Sequence, residues 1–271
     1  MENETSPAYH GSEKIENEAK RLEQFAVIAN KETIRVLSGL KEKGLMPKHI
    51  LDAGCGTGDV FSVFANLFPL ATIEGIDRSE EAARVAHERH GVTVHDADLA
   101  QPDAFDAIAP ADLIYFRSVL LHLSDPAAIV ARAAEHLTPH GILMAQEPDW
   151  SAAEADWEDF RSFKESFIAL MQGLGIKPFL GQELEALLTG AGLTGVTADR
   201  STRRITADDP SWNILYSMLE VGGTRIIPEL QKRGVKSVEE MRRRIETARA
   251  AGKSFVTPAW VIAWGGKANA V

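Results

Sequence analysis

Short apolar runs and longer amphipathic stretches alternate over the first 150 residues. Apolar runs bounded by charged residues or glycine predict strands at about 48–53, 71–77, 92–95, 112–116 and 142–146. Apolar residues at helical spacing predict helices between them, at about 57–67, 79–89, 102–108 and 125–137. This alternation predicts an α/β fold with a parallel sheet and helices on both of its faces.

The pattern differs at both ends of the chain. Residues 12–43 read as one long helix or two, so we expect 1–44 to form an N-terminal helical cap on a domain over 45–271. After residue 150, helical insertions at about 150–176 and 208–252 follow the fifth and sixth strands, which we expect at 142–146 and 194–205, and a seventh strand is expected over 254–264. Ligands of open α/β sheets bind beyond the carboxyl ends of the strands, so the insertions are placed to form a lid.

Composition limits the classes of partner. The 271 residues carry a formal charge of −10, which disfavours nucleic acid as a partner because binding it needs a basic face. No apolar run approaches the length of a membrane span, and the polar N-terminus does not resemble a signal peptide. The single cysteine suits a reducing compartment. We therefore expect a cytoplasmic monomer or homodimer.

A glycine-rich segment separates the first predicted strand from the first predicted helix. Asp52 ends the apolar run, and Gly54, Gly56 and Gly58 follow at alternate positions. Glycine permits positive φ and lets a ligand approach the main chain, so the segment 54–58 (the glycine turn) predicts a nucleotide or nucleoside site. We interpret Cys55, inside the turn, as a small side chain that fits there.

The spacing of this segment separates two cofactor classes. The dinucleotide pattern G-x-G-x-x-G/A would place Asp59 toward a pyrophosphate, which is unfavourable. The spacing D-x-G-x-G-x-G resembles motif I of the class I S-adenosylmethionine (SAM) dependent methyltransferases, which implies that Asp52, Cys55 and the three glycines belong to the cofactor site. The resemblance implies a Rossmann-like, seven-stranded, mostly parallel sheet with an antiparallel seventh strand, and SAM as cofactor with S-adenosylhomocysteine as product.

Asp77 ends the second strand about 20 residues after the glycine turn, the usual spacing for an acid that binds ribose. Its carboxylate has several acceptor sites and matches a cis-diol. The alternative is that Asp77 only caps the helix that starts near Ser79. The segment from Glu74 to Ser79 resembles motif II of the same family, and with it Arg78 becomes a cofactor candidate.

Two further segments resemble the family. His95 to Leu99 resembles motif III, which implies that Asp98 binds the adenine amino group and Leu99 covers the ring, with Asp96 as an alternative acid. The segment that starts at Ala111 resembles motif IV, in which the main-chain carbonyl of Phe116 or Arg117 would hold the SAM ammonium. The side chain of Arg117 has two open roles: it binds a carboxylate of SAM or substrate, or it pairs structurally with Asp52 or Glu147.

Candidate catalytic residues follow the fourth and fifth strands. We consider His122 as a general base, with a helix-cap or packing role as the alternative. Glu147 directly follows the fifth strand, where an acid can bind a cationic amine or take a proton. Arg117 completes this set of three. No His, Cys, Asp or Glu cluster has the spacing of a metal site.

Substrate-binding candidates lie outside the glycine turn and its neighbours. They are Tyr9, His10, Asp149, Trp150, Trp212, Tyr216 and Arg225. For the aromatic residues at helical spacing the alternative is a place in the core. We expect methyl transfer to the O, N or C atom of a small molecule, in secondary or cofactor metabolism. The alternatives are a SAM-site enzyme that catalyses cyclisation or isomerisation, and a non-catalytic ligand-binding subunit.

Overall fold

The computed structural model of the chain describes residues 29–267. Within this range the chain divides into two compact units, each assembled from separate segments. The first unit comprises residues 29–147, 182–199 and 261–267, and the second comprises 148–181 and 200–260.

Strands and helices alternate along the chain. The strands are β1 (His49–Ala53), β2 (Thr72–Asp77), β3 (Thr93–Asp96), β4 (Ala111–Arg117), β5 (Leu137–Asp149), β6 (Thr194–Ser201), β7 (Arg204–Ile205), β8 (Phe255–Val256) and β9 (Ala259–Gly266). The helices are α1 (29–42), α2 (Phe61–Leu67), α3 (Glu80–His90), α4 (Pro126–Glu135), α5 (Glu158–Gly173), α6 (Leu184–Gly190), α7 (Ile214–Gly222), α8 (Ile227–Gln231) and α9 (Val238–Ala250). None of the described helices is long and apolar enough to span a bilayer.

Seven strands form one sheet in the order β3-β2-β1-β4-β5-β9-β6. β1 pairs in parallel with β2 and β4, β2 pairs in parallel with β3, and β4 pairs in parallel with β5. β9 is the antiparallel strand, so the predicted fold class is confirmed. From β1 the chain continues through β2 to β3 at one edge of the sheet, and from β4 it continues through β5 toward the other edge. Ligands of open α/β sheets bind at such a switch point, beyond the carboxyl ends of the strands.

The centre of the first unit is built from β1 and β4. Ile50, Leu51 and Leu113 are fully buried, as expected for parallel strands that are covered on both faces. Phe64 of α2 packs its ring edge-to-face against Tyr115 of β4, with 5.4 Å between the ring centroids. Each such side chain contributes about 1.5–3 kcal/mol by burial. The apolar runs read from the sequence are therefore the strands that hold the site in place.

α1 is attached to the sheet by a buried polar network. The Tyr115 hydroxyl donates to Oε1 of Gln146 at 2.5 Å, and the Thr33 hydroxyl lies 2.8 Å from the same oxygen. The amide nitrogen of Gln146 donates to the carbonyl of Ala29 at 3.2 Å. All three polar side chains are fully buried. Because unpaired buried polar groups are costly, this network fixes the position of α1 on β4 and β5.

Several predicted elements differ from the observed ones. The predicted short helix over 102–108 is a series of turns. The helix predicted from residue 57 begins at Phe61, because Gly58 has a φ of 77°. The strand predicted over 194–205 stops at Ser201, and the one predicted over 254–264 is interrupted before β9 at Pro258, which has no N–H for a sheet ladder.

The second unit contains both segments that the sequence predicts as helical insertions. Its helices are α5, α7, α8 and α9, and β7 pairs with β8 in a two-stranded antiparallel sheet. Trp157 stacks on Trp212 with 6.1 Å between ring centroids, and Phe160 stacks on Phe255 at 5.4 Å. The insertions therefore have an aromatic core of their own.

Candidate cofactor site and active site

The glycine turn is held by main-chain hydrogen bonds to β2. The N–H groups of Gly54 and Cys55 both donate to the carbonyl of Ile76, at 2.7 and 2.9 Å. Gly54, Gly56 and Gly58 have φ values of 80°, 53° and 77°. Side chains other than glycine are disfavoured at such angles, so the sequence spacing is explained by the path of the backbone.

The three glycines differ in what surrounds them. A Cβ on Gly54 would lie 2.2 Å from Cγ2 of Val119, and a Cβ on Gly58 would lie 2.7 Å from the ring of Phe61. A Cβ on Gly56 would meet no atom of residues 29–267 within 4 Å. Gly54 and Gly58 therefore leave room for the side chains of Val119 and Phe61, whereas the side-chain position of Gly56 is open.

Cys55 has a packing role. Its side chain is buried, and a Cβ on Gly75 of β2 would lie 2.6 Å from its Sγ. Burial raises the pKa of the thiol well above its ordinary value, and the nearby charges of Asp52 and Asp77 act in the same direction. The thiol is therefore neutral and inert, in agreement with its interpretation as a small side chain that fits the turn.

Asp77 connects the glycine turn to the start of α3. Its Oδ2 accepts from the N–H of Gly56 at 2.7 Å, and its Oδ1 accepts from the N–H of Ser79 at 2.9 Å. Ser79 is itself the N-cap of α3, and its hydroxyl accepts from the N–H of Ala82. Burial raises the pKa of Asp77, while the hydrogen bonds from Ser79 and Gly56 oppose that rise. A carboxylate accepts about four hydrogen bonds, so Asp77 retains capacity for two hydroxyl donors beside the open face of Gly56.

Asp52 lies at the carboxyl end of β1 and is only 3% exposed. Burial raises its pKa to about 7, the positive charge of Arg117 opposes that rise, and Asp77 adds to it. The carboxyl group therefore changes protonation near neutral pH. Its place in cofactor binding stays a prediction.

The third predicted acid site follows β3. Asp98 is half-buried and its Oδ1 accepts from the N–H of Ala100 at 2.9 Å, whereas the alternative acid, Asp96, is exposed. Leu99 is buried, and its carbonyl accepts from Arg132 at 2.6 Å. Arg78 is exposed after β2. The geometry favours Asp98 over Asp96 as the acid of this segment.

β4 ends with a buried aromatic residue and a half-buried cation. The side chain of Phe116 is fully buried in the sheet. The guanidinium of Arg117 donates to Oδ1 of Asn30 on α1. Nδ2 of Asn30 donates in turn to the carbonyl of Asp59 at 3.1 Å. Arg117 is therefore hydrogen-bonded to a neutral amide rather than to Asp52 or Glu147, the two structural partners considered from the sequence.

Glu147 is a fully buried acid near the carboxyl end of β5. Its Oε1 accepts from the N–H groups of Val119 and Leu120, at 3.0 and 2.8 Å. Its Oε2 is buried and has no hydrogen-bond partner among residues 29–267. Burial raises the pKa of Glu147 to about 8, although the main-chain donors lower it in part. Ser118, which precedes this turn, has a φ of 54°, a left-handed conformation that costs a non-glycine residue some energy. The hydrogen bonds that Glu147 accepts help to hold the turn in this conformation.

His122, the third catalytic candidate, ends the 3-10 helix Leu120–His122 and is exposed. The same helix is fixed at its start by Glu147 through the N–H of Leu120. Of the three catalytic candidates, the structure therefore buries Glu147 completely, half-buries Arg117 and leaves His122 at the surface.

The substrate candidates at the end of β5 and directly after it have structural partners within the second unit. Asp149 is fully buried, forms an ion pair with Arg200, and accepts from the N–H of Ser151 at 2.9 Å. Trp150 is buried against Phe167, with 5.0 Å between the ring centroids. These contacts favour a supporting role, and substrate binding by either residue stays a prediction.

The remaining candidates occupy three environments. Trp212 is fully buried in the aromatic core of the second unit, the alternative considered for it from the sequence. Tyr216 lies under the guanidinium of Arg242 at 5.2 Å, and Arg225 is exposed. Tyr9 and His10 lie outside the described residues. Among residues 29–267, no group of three His, Cys, Asp or Glu side chains is arranged to hold a metal ion.

Comparison with known proteins identifies the family. The sequence model of a family described as a methyltransferase domain matches residues 22–198, well over half of the chain. The chain belongs to this family. Membership confirms the class I, SAM-dependent methyltransferase predicted from the motifs, and SAM as the cofactor of that class.

Similar curated proteins match part of the methyltransferase chain. A Pseudomonas aeruginosa protein named trans-aconitate 2-methyltransferase is 33% identical over 138 residues, which are 49% of this chain and 46% of the relative. A Deinococcus radiodurans protein of the same name is 31% identical over 156 residues, 55% of this chain and 59% of the relative. The chain thus spans about half the length of the curated relatives that it matches.

Solved structures share the fold of the methyltransferase. The YcgJ protein of Bacillus subtilis superposes with a TM-score of 0.54 at 17% identity, covering 87% of this chain and 98% of that one. The Haemonchus contortus phosphoethanolamine N-methyltransferase 2, solved with phosphomonomethylethanolamine and S-adenosylhomocysteine, gives a TM-score of 0.50 at 18% identity, covering 85% and 52%. At these identities the likeness shows the fold.

Three residues of the methyltransferase site were missed from the sequence. Asn30 and Val119 carry no sequence signal, because their roles depend on contacts with Arg117 and with Gly54. Gln146 had a signal: a polar amide follows the apolar run of β5, and a buried polar side chain needs partners.

Proposed function

We propose that this protein is a SAM-dependent methyltransferase whose acceptor is a small molecule. The observation that carries the proposal is the pairing of Asp77 with Gly56. The carboxylate is fixed to the N–H of the one glycine in the turn whose side-chain position is open. This arrangement suits a ligand that presents two neighbouring hydroxyls and lies against the main chain.

Different residues around the turn would bind different parts of the cofactor. Asp77 takes the ribose hydroxyls, Asp98 takes the adenine amino group beside Leu99, and the main chain at Phe116 or Arg117 takes the ammonium group. The bound cofactor supplies a methyl group activated by attachment to a sulfonium. Fixing the donor and acceptor atoms in line accounts for much of the barrier, on the order of 7–11 kcal/mol.

Glu147 is the acid–base group that the geometry favours. It is fully buried, one of its oxygens has no partner in the described part of the chain, and its raised pKa of about 8 permits proton exchange near neutral pH. Oε1 is occupied by main-chain donors, so Oε2 is the atom that would bind or accept a proton. His122 is less suited, because its ring is exposed to water.

Two observations support a small acceptor. The net charge of −10 does not favour nucleic acid as the substrate. The similar proteins of Pseudomonas aeruginosa and Deinococcus radiodurans are named for methylation of trans-aconitate, a small organic acid. We therefore place small acids first among acceptors, and a role in secondary or cofactor metabolism is part of the proposal.

Isothermal titration tests the cofactor site. S-adenosylhomocysteine is expected to bind the wild type, and Asp77→Asn is expected to weaken binding about 10- to 100-fold because hydrogen bonds to a charged group are lost. Asp103→Asn, at an exposed acid, is the matched control and is expected to bind like the wild type. Unchanged affinity in Asp77→Asn would remove the main support for the site.

Turnover distinguishes the proposed reaction from the alternatives. The protein is incubated with SAM and a set of small acids, including trans-aconitate, together with amines and phenols. Methyl transfer predicts a product heavier by one methylene group and an equal amount of S-adenosylhomocysteine. Substrate conversion without that gain in mass would favour a cyclase or isomerase, and cofactor binding without any conversion across the set would favour a ligand-binding subunit.

A further inference from the structure

Arg117 is a half-buried cation whose hydrogen-bond partner is neutral. Its Nη1 donates to the amide oxygen of Asn30. Among residues 29–267 no carboxylate lies within ion-pair distance of it, and the neighbouring Asp52 interacts with it only through longer-range charge. An arginine placed solely for stability is usually paired with an acid, so the neutral partner leaves its charge without a direct counterion.

Most of the donors of Arg117 have no partner in the described part of the chain. A guanidinium has five N–H groups in a planar fork that matches a carboxylate, and one of its nitrogens is used by Asn30. None of its nitrogens is among the fully buried atoms that lack a partner. The unused N–H groups are therefore not fully buried, and a ligand can reach them.

The position of the guanidinium relates it to the cofactor site. Arg117 is the last residue of β4, which lies beside β1 at the switch point of the sheet. Asn30 also donates to the carbonyl of Asp59, the residue that follows Gly58. One amide thus holds the arginine and the end of the glycine turn in a fixed relation.

We propose that Arg117 binds a carboxylate group and that Asn30 positions its guanidinium for this task. The inference rests on the proposed function and deepens it. A bidentate pair with a carboxylate is stronger than the bond to a neutral amide, so a ligand acid would be the stronger partner. The carboxylate belongs either to the methionyl end of the cofactor or to an acidic acceptor.

Titration of two nucleosides tests the cofactor as the source. S-adenosylhomocysteine has a carboxylate, and 5′-methylthioadenosine shares its nucleoside and thioether but lacks the amino-acid group. If the cofactor provides the carboxylate, Arg117→Gln weakens S-adenosylhomocysteine binding about 10- to 100-fold and leaves 5′-methylthioadenosine unchanged. An equal loss for both ligands would show that Arg117 acts only through the structure and would overturn the proposal.

A second titration tests an acceptor as the source. Citrate, a tricarboxylate probe, is titrated into protein saturated with S-adenosylhomocysteine. If the acceptor provides the carboxylate, the wild type binds citrate and Arg117→Gln loses that binding about 10-fold or more, while both nucleosides bind as before. The proposal is wrong if Arg117→Gln binds S-adenosylhomocysteine like the wild type and its citrate affinity is also unchanged. It is equally wrong if the affinity for S-adenosylhomocysteine is unchanged and the wild type does not bind citrate.

Variants of Asn30 separate charge from position. Asn30→Asp places a carboxylate on the guanidinium and is expected to reproduce the selective loss seen in Arg117→Gln, because the internal acid competes with the ligand. Asn30→Ala keeps the cation and is expected to weaken the same ligand only a few-fold. A loss in Asn30→Ala as large as in Arg117→Gln would contradict the assignment of Asn30 as a positioning residue.

The failure of this inference and the failure of the proposed function can be distinguished. Protein that binds these ligands as expected but transfers no methyl group would contradict the proposed function alone.

Discussion

At the scale of single residues, Glu147 shows how burial changes the chemistry of an acid. One oxygen is held by two main-chain N–H groups, and the other has no partner within the described residues. A carboxylate in this environment is poorly solvated, so its pKa rises to about 8. The same acid fixes the turn through Val119, whose side chain lies against Gly54. Glu147 thereby links β5 to the glycine turn.

The raised pKa of Glu147 predicts how stability depends on pH. The folded protein holds this proton more tightly than the unfolded chain, whose glutamate has the ordinary pKa of 4.5. The stabilisation is therefore complete below about pH 4.5 and is lost as pH rises through about 8, and Asp52 acts in the same direction up to about 7. We expect Glu147 to contribute a loss of up to about 5 kcal/mol in the free energy of unfolding over this window, because each pKa unit corresponds to about 1.4 kcal/mol.

Urea unfolding at a series of pH values measures this loss. Glu147→Gln keeps a carbonyl oxygen for the two main-chain donors and removes the titration, so its stability should change less with pH than that of the wild type. Glu158→Gln, at an exposed acid of α5, serves as the control. Parallel curves for Glu147→Gln and the wild type would contradict the assigned protonation of Glu147.

At the scale of elements, the glycine turn combines two requirements that the sequence alone does not separate. All three glycines have positive φ, which explains their residue type. Gly54 also makes room for Val119, and Gly56 faces open space. The turn is thus closely packed at Gly54 and open at Gly56, where we propose that the ligand lies.

Alanine substitutions are expected to separate these two roles. Gly54→Ala puts a methyl group 2.2 Å from the stiff side chain of Val119 and strains the backbone, for a loss of about 3 kcal/mol in the free energy of unfolding. Gly56→Ala meets only the backbone strain, about 1 kcal/mol. Its methyl group stands where a ligand would approach, so we expect it to weaken S-adenosylhomocysteine binding at least 10-fold.

Urea unfolding and isothermal titration of the two variants check these values. If Gly54→Ala and Gly56→Ala lose the same stability, the side chain of Val119 moves away from the new methyl group without cost. Wild-type affinity in Gly56→Ala would show that the ligand does not lie over the middle of the turn.

At the scale of the whole molecule, the described chain divides its residues between a sheet unit and a helical unit. The sheet unit contains the glycine turn, Asp77, Arg117 and Glu147. The helical unit is assembled from two separate segments and has its own aromatic core. The residues that we propose for the cofactor thus all lie in the sheet unit, so a bound cofactor is expected to stabilise the folded state of that unit.

Cofactor binding is therefore expected to raise the melting temperature. A ligand at 100 times its Kd stabilises the native state by about 2.7 kcal/mol, which corresponds to roughly 5–10 °C for a domain of this size. Scanning calorimetry with S-adenosylhomocysteine measures the rise, and Asp77→Asn should need about 10 to 100 times more ligand for the same effect. A rise of equal size in Asp77→Asn at equal ligand concentration would contradict the role of Asp77.

Much of the sheet unit could be predicted from the sequence, and the helical unit less so. The strands around Ile50 and Leu113 are apolar runs between charged residues, and a parallel strand covered on both faces requires that pattern. Ser79 and Asp125 are the N-caps of the helices that the sequence predicts to begin at residues 79 and 125. The break at Pro258 and the short strands of the second unit were missed, because they depend on pairings between distant segments.

The sequence by itself determined the glycine turn, the acid that ends β2 and the order of strands and helices. These features depend on local requirements: positive φ in the turn, apolar faces on the strands and capping groups at the helices. Only the tertiary structure decided that Asp77 bonds to Gly56, that Arg117 pairs with Asn30, and that Glu147 is buried with one oxygen unpartnered among the residues that the structure describes. These contacts join residues up to 87 positions apart. Local spacing cannot encode them, because each depends on which chain segments the fold brings together.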